Sequence, residues 1–185
     1  MILCAGKMES FDFALPIGIG LVESAINLTQ LCLFNRPEYL LFVGTSGSYG
    51  DHQLLEIVTS QGAANIELSF LQKQSYTPID NVIVSNTGLV EHQTIVNSSN
   101  YITIDEALGR GFSKHRIGLE NMEFFSVMAV AREFDIPAGG VFCVTNICGP
   151  QAHDQFIANH KAAMAKLENY ARKELLPRFK LKGGV

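Results

Sequence analysis

The chain has 185 residues, 47% hydrophobic and 17% charged, with a mean hydropathy of +0.16. It is long and apolar enough to bury a core without disulfides or metals, which excludes a disordered chain. The 14 Lys and Arg against 18 Asp and Glu leave a formal charge of −4, which argues against a nucleic-acid partner, and no apolar run reaches the roughly 20 residues that span a bilayer.

Residues 1–6 read as a short buried strand ending on glycine, and residues 13–17 as a second, with a polar turn at 7–12 between them. No basic stretch precedes the first apolar run, so it is not a secretory signal, and a cytoplasmic location is expected. A helix is predicted from Leu21, with Leu21, Val22, Ala25, Leu28, Thr29 and Cys32 on one face, and Pro37 stops it. Residues 39–43 form a continuous apolar strand that opens into a loop of small residues at 44–50. Further strands are expected at 55–59, 81–84, 94–96 and 140–144, while 63–74 fits strand or helix. Helices are predicted at 105–112, at 123–134 and at 158–176. The second carries Phe125, Met128, Ala129 and Arg132 on adjacent turns; the third carries Ala162, Ala165, Leu167, Tyr170 and Leu175 and ends at Pro177. Residues 180–185 are expected to fray. This order predicts one α/β domain over residues 1–185 with a largely parallel sheet.

Cys4, Cys32, Cys143 and Cys148 sit in apolar contexts without a CxxC pair, as small hydrophobes of a reducing compartment do. The five histidines show no metal-ligand spacing, His153 and His160 read as surface residues, and no GxSxG elbow is present. Four polar segments fall at the ends of apolar runs. Gly18-Ile19-Gly20 fits a tight strand–helix turn, or backbone N–H groups that receive an anion. Thr45, Ser46 and Ser48 fit either a capping turn or a ligand loop beyond a strand's carboxyl end. Asn121-Met122-Glu123 puts a carboxylate at a helix start, where it favours the helix dipole or grips a pair of hydroxyls. Thr145-Asn146 is a turn or a site by the same strand-end rule.

In this order the segments resemble the nucleoside phosphorylase and nucleosidase superfamily, from Met1 to about Leu176. Residues 17–22 are similar to the family's SGIGKV turn, and Val43-Gly44-Thr45-Ser46-Gly47 to the phosphorylases' VGTCG or VGTTG. Residues 95–102 fall without gaps on the nucleosidases' IVSGDAFI, and residues 122–134 look like MExxxxxxVAxEF. The resemblance implies a three-layer αβα sandwich around a mixed twisted sheet and cleavage of the N-glycosidic bond of a nucleoside through an oxocarbenium-like ribose. It gives Glu123 the ribose hydroxyls and Met122 the underside of the sugar. Tyr101 would stack on the base, with Ile102 offering backbone hydrogen bonds. Gly18, Thr45, Ser46 and Gly47 would line the sugar and the phosphate or water pocket. It further implies a small-molecule nucleoside as partner, a homodimer or larger ring, and no cofactor beyond inorganic phosphate if the chain is a phosphorylase.

The departures from the family pattern concern the chemistry. Asn146 stands where the family has the aspartate that protonates the leaving purine; an amide supplies no proton but can donate a hydrogen bond to N7 or a 6-oxo group, as in futalosine hydrolase. Phe42 stands where phosphorylases hold phosphate with an arginine, and Arg36 is the nearest alternative, so water is the expected nucleophile. The nucleosidases' water-activating glutamate falls on Phe11, with Glu9 and then Asp12 the nearest acids. The segment between Gly6 and Phe13 lacks the family's helix and β-hairpin. The expected activity is therefore hydrolysis of a 6-oxopurine nucleoside, with a phosphorylase or a non-cleaving nucleoside-binding protein as alternatives.

Overall fold

The computed structural model describes residues 1–180; of the expected tail, Lys180 ends the last helix and residues 181–185 lie outside the described residues. In chain order the elements are β1 (Ile2–Cys4), β2 (Leu15–Pro16), α1 (Gly20–Phe34), β3 (Leu40–Ser48), β4 (Ile57–Ser60), β5 (Gly62–Ala64), α2 (Leu68–Leu71) and β6 (Val82–Val84). There follow β7 (Ile95–Ser98), α3 (Glu106–Ser113), β8 (Ile117–Asn121), α4 (Phe124–Glu133), β9 (Ala138–Ile147), α5 (Ala152–Tyr170), a π turn (Ala171–Leu175) and α6 (Leu176–Lys180). The nine strands form one mixed sheet with helices on both faces, the expected three-layer arrangement.

β3 is the hub. It runs parallel to β9 along its whole length, parallel to β1 at Leu41 and Phe42, and antiparallel to β8 at Gly47 and Ser48. Residues 57–64 bend at Gln61, so that β4 pairs with β9 and β5 with β7. Because β7 pairs with β8, the hydrogen bonding runs in a circuit that returns to β3.

Alternation along β3 and β9 divides the core. Leu40, Phe42, Phe142 and Val144 face α1 and α4, meeting Leu28, Cys32, Val127 and Met128. Leu41, Val43, Val141 and Cys143 face Ala163, Leu167, Ala171 and Leu175. A strand covered on both faces needs apolar residues at every position, which is why residues 39–43 read as an unbroken run.

Several sequence expectations are corrected. β3 does not stop at Val43: residues 44–48, expected as a loop, stay in the strand because they pair with β9 on one side and β8 on the other. The second apolar run is a strand only at Leu15 and Pro16, where it pairs with β1. Helix α1 buries Gly20, Ser24, Leu28 and Cys32 and leaves Val22 65% exposed. Its apolar residues lie all round, so no single stripe announces the inner face. In α4 the buried line is Phe124, Val127, Met128 and Ala131, and Arg132 points out. In α5 it is Ala163 and Leu167, with Ala162 and Ala165 exposed. Pro177 does not end the helical run: the π turn just before it widens the backbone, and α6 continues through it. Strand β8 was not foreseen at all. The four cysteines are free and buried, as expected. Among the described residues no helix is long and apolar enough to cross a membrane.

Candidate active site

At the carboxyl ends of β3 and β9 the chain leaves a cavity of about 380 Å³, within the range of small-ligand sites. Its wall includes Glu9, Thr45, Ser46, Gly47, Tyr101, Ile102, Met122, Glu123 and Asn146, nine of the ten residues singled out from the sequence. The tenth, Gly18, is outside the wall. Its N–H donates to Ala5 O at 3.1 Å and its carbonyl accepts from Ser24 Oγ at 3.0 Å, so its backbone is spent on joining α1 to β1. Nor is the turn after it an open anion site. The N–H groups of Ile19, Gly20 and Leu21 donate to Glu23, Glu123 and Asn100 at 2.8, 2.9 and 2.9 Å. Gly20 has a φ of +79°, and a Cβ there would come within 2.7 Å of Asn100 Oδ1, so glycine is required for this close approach.

Glu123 sits where β8 hands over to α4. Asn121 Oδ1 accepts the N–H groups of Glu123 and Phe124 at 2.8 and 2.9 Å and so caps the helix, while Asn121 Nδ2 donates to Thr45 O at 3.1 Å. This ties the carboxylate's backbone to β3. Glu123 is 4% exposed, and burial, reinforced by the charge of Glu9, pushes its carboxyl up to about 7 against hydrogen bonds from the Gly20 N–H, the Asn121 side chain and the Met122 backbone.

Glu9 reaches the same cavity from a tight turn in which Gly6 and Glu9 exchange backbone hydrogen bonds and Lys7 adopts a φ of +54°. The N–H of Thr45 donates to Glu9 Oε2 at 2.9 Å, and the Thr45 hydroxyl donates to Glu9 Oε1. The two other acidic or aromatic candidates of that segment point elsewhere: Phe11 stacks on Phe13, and Asp12 pairs with Arg172 at 2.9 Å. Phe42 is fully buried against Phe124 and Phe142, and Arg36 donates to Phe134 O, so neither reaches the cavity.

On the β9 side the Thr145 hydroxyl bridges Asn146 Oδ1, at 3.0 Å, and Ser46 O, at 3.2 Å. The Ser46 hydroxyl is buried in the wall without a hydrogen-bond partner. Gly47 lies between Asn146 and β8: a Cβ on it would stand 2.9 Å from Asn146 Nδ2, 3.0 Å from Cys148 Sγ and 3.1 Å from Glu120 Cγ. Tyr101 is 84% exposed, with Ile102 beside it at the rim.

The overall fold has solved counterparts. A structure of a Helicobacter pylori 5′-methylthioadenosine/S-adenosylhomocysteine nucleosidase, an aspartate-to-asparagine mutant with 5′-methylthioadenosine in the active site, superposes with a TM-score of 0.73 at 16% identity, covering 86% of this chain and 77% of that one. A futalosine hydrolase mutant of H. pylori gives 0.77 at 15% identity, covering 92% and 95%. A Francisella philomiragia protein described as a putative nucleosidase of the methylthioadenosine type gives 0.77 at 14%, covering 93% and 96%. The fold is that of these nucleosidases and of futalosine hydrolase. No protein-family model matches the sequence, and no curated protein matches it either.

The nucleosidase fold puts several unforeseen side chains in the wall, among them Lys7, Met8, Ser99, Glu120, His153 and Phe156. His153 is exposed, as expected of a surface histidine, and is also part of this rim. Glu120 was missed because β8 was missed; the apolar alternation of Ile117 and Leu119 ahead of Asn121 was the available signal. Among the described residues, three carboxylates, Glu9, Glu120 and Glu123, thus face one lysine, one histidine and no arginine in the cavity wall.

Proposed function

We propose that this protein hydrolyses the N-glycosidic bond of a nucleoside. The observation that carries the reading is the convergence of Glu123 and the Thr45-held Glu9 on one cavity of the nucleosidase fold. A carboxylate accepts two hydroxyl hydrogens, so Glu123 suits the 2′ and 3′ hydroxyls of a ribose, and its charge stabilises the ribosyl cation as the bond breaks. Glu9, oriented by two donors from Thr45, suits the role of base for an attacking water. Met122, Tyr101 and Ile102 offer the apolar surface that a sugar and a base need. A wall with three carboxylates and no arginine disfavours phosphate as the nucleophile, which supports hydrolysis over phosphorolysis. Asn146, whose Oδ1 is engaged by Thr145, keeps its Nδ2 for a ligand acceptor, which favours a 6-oxopurine over adenine.

The same reading extends to a second copy of the chain. Val22 and Ile26 on α1 are exposed and adjoin Ile19, which belongs to the cavity wall, and exposed Tyr101 and Ile102 continue the apolar surface. A homodimer that covers this face would close the mouth of the cavity.

The test is release of free base from inosine, guanosine, adenosine, uridine, methylthioadenosine and futalosine, with and without phosphate. Phosphate-independent release, abolished in Glu123→Ala, is the expected result. Release that requires phosphate makes the chain a phosphorylase. Binding without release makes Asn146 the mark of a nucleoside-binding protein.

A further inference from the structure

The reading above leaves the departing base without a proton donor, because Asn146 has none to give, and it leaves one buried carboxyl of the cavity without a task. That carboxyl is Glu120, on β8, 9% exposed and part of the wall. Its surroundings are those of an isolated acid. Tyr49 Oη donates to Oε2 at 3.0 Å, and the N–H of Thr103 donates to Oε1 at 3.1 Å. Cys148 is the remaining ionisable neighbour, and among the described residues no cation contacts the carboxyl. Tyr49 is itself fixed by stacking on Phe112, with ring centroids 4.5 Å apart. Glu120 is also next to Asn146: its Cγ and the Asn146 Nδ2 both lie within 3.1 Å of the point where a Cβ on Gly47 would stand. The absence of that Cβ opens the space between the amide and the acid.

We propose that Glu120 is the proton donor to the leaving base, acting beside Asn146, which holds the base by a hydrogen bond. The inference rests on the nucleoside hydrolase reading. As the C1′–N bond breaks, its electron pair passes to the base and the Glu120 carboxyl proton to a ring nitrogen. The water oxygen bonds to C1′ and its proton goes to Glu9. The enzyme ends with Glu120 ionised and Glu9 protonated, and proton exchange with solvent on product release restores both. Burial agrees with this role: it raises the Glu120 carboxyl above its ordinary range and keeps it protonated more readily than an exposed glutamate, against the donors Thr103, Cys148 and Tyr49. Glu9, Glu123, Lys7, Tyr101 and His153 are the other titratable groups of the cavity.

The experiment compares two leaving groups in wild type and Glu120→Gln: the best nucleoside of the panel, whose base must be protonated, and 4-nitrophenyl β-D-ribofuranoside, whose phenolate leaves unprotonated. Glu120→Gln is expected to lower nucleoside turnover by about 10²–10⁴ while 4-nitrophenyl riboside hydrolysis stays within a few-fold, which also shows that the variant folds. Tyr49→Phe removes one donor to the carboxylate and should move the alkaline limb of nucleoside kcat to higher pH. Equal loss on both substrates, or no loss on the nucleoside, overturns the role of Glu120 and leaves the hydrolase reading intact. A wild type inert on both substrates overturns the hydrolase reading and this inference with it.

Discussion

Residues 40–43 and residues 44–48 are two halves of one strand, and all nine are buried. The first half, Leu-Leu-Phe-Val, is packed on both faces by side chains of the two cores and carries no polar side chain. The second, Gly-Thr-Ser-Gly-Ser, contributes three residues to the cavity wall. Its polar atoms are engaged across the fold: Thr45 by Glu9 and Asn121, Ser46 O by Thr145, and Ser48 Oγ by the N–H groups of Gly50 and His52. Equal burial therefore serves different ends. Apolar burial stabilises the strand, and polar burial is tolerated where each group has a partner or a place for a ligand. The unpartnered Ser46 hydroxyl is the exception, and it lies in the cavity.

The largest expected effect breaks the first half. Phe42→Ala opens a hole between Phe124 and Phe142 and should destabilise the fold by about 3–5 kcal/mol in denaturant unfolding. If the loss is below about 1 kcal/mol, the apolar half is not what holds the strand.

A second test concerns the carboxylate that the polar half faces. A carboxyl raised by the fold favours folding in its protonated form, so its contribution is full below its unfolded value of 4.5 and lost as pH rises to about 7. Wild type should lose up to about 3 kcal/mol across that window on this account, and Glu123→Gln, which cannot ionise, should lose less. Melting curves of the two proteins that stay parallel from pH 4.5 to 7 would show that Glu123 titrates as an ordinary surface acid.

The smallest effect sharpens the comparison inside the second half. Gly47→Ala adds a methyl that meets Asn146 Nδ2 at 2.9 Å and Cys148 Sγ at 3.0 Å. Overpacking of this kind costs about 1–3 kcal/mol, and here it should appear as weaker nucleoside binding in calorimetry more than as a lower melting temperature. A variant that binds as wild type does would mean that the ligand does not approach the space beside Gly47.

Much of this was written locally. Apolar runs announced β1, the first half of β3 and the middle of β9, because strands covered on both faces carry hydrophobic residues at successive positions. Helix α3 lies within one residue of the predicted 105–112, and the structure adds its cap: the Asp105 side chain accepts from the N–H groups of Ala107 and Leu108. Thr45, Ser46 and Asn146 stood out as polar residues that end apolar runs and Glu123 as a carboxylate at a helix start, whereas Glu9, Met122, Tyr101 and Ile102 were singled out only through the family resemblance.

Other features existed only once distant segments met. That residues 44–48 form a strand depends on β8 and β9, which lie far along the chain. The helix faces of α1, α4 and α5 depend on which neighbour they pack against, since apolar residues occur on more than one side of each. The occupation of α1's first N–H groups by Glu123 and Asn100 joins residues about 80 to 100 positions apart, beyond the reach of any local pattern. Glu120 became visible only when β8 set it beside Asn146, because a lone glutamate in a sequence carries no mark of burial. Composition and spacing determined an α/β domain and the order of its main elements, while pairing between distant strands decided which polar groups share a cavity.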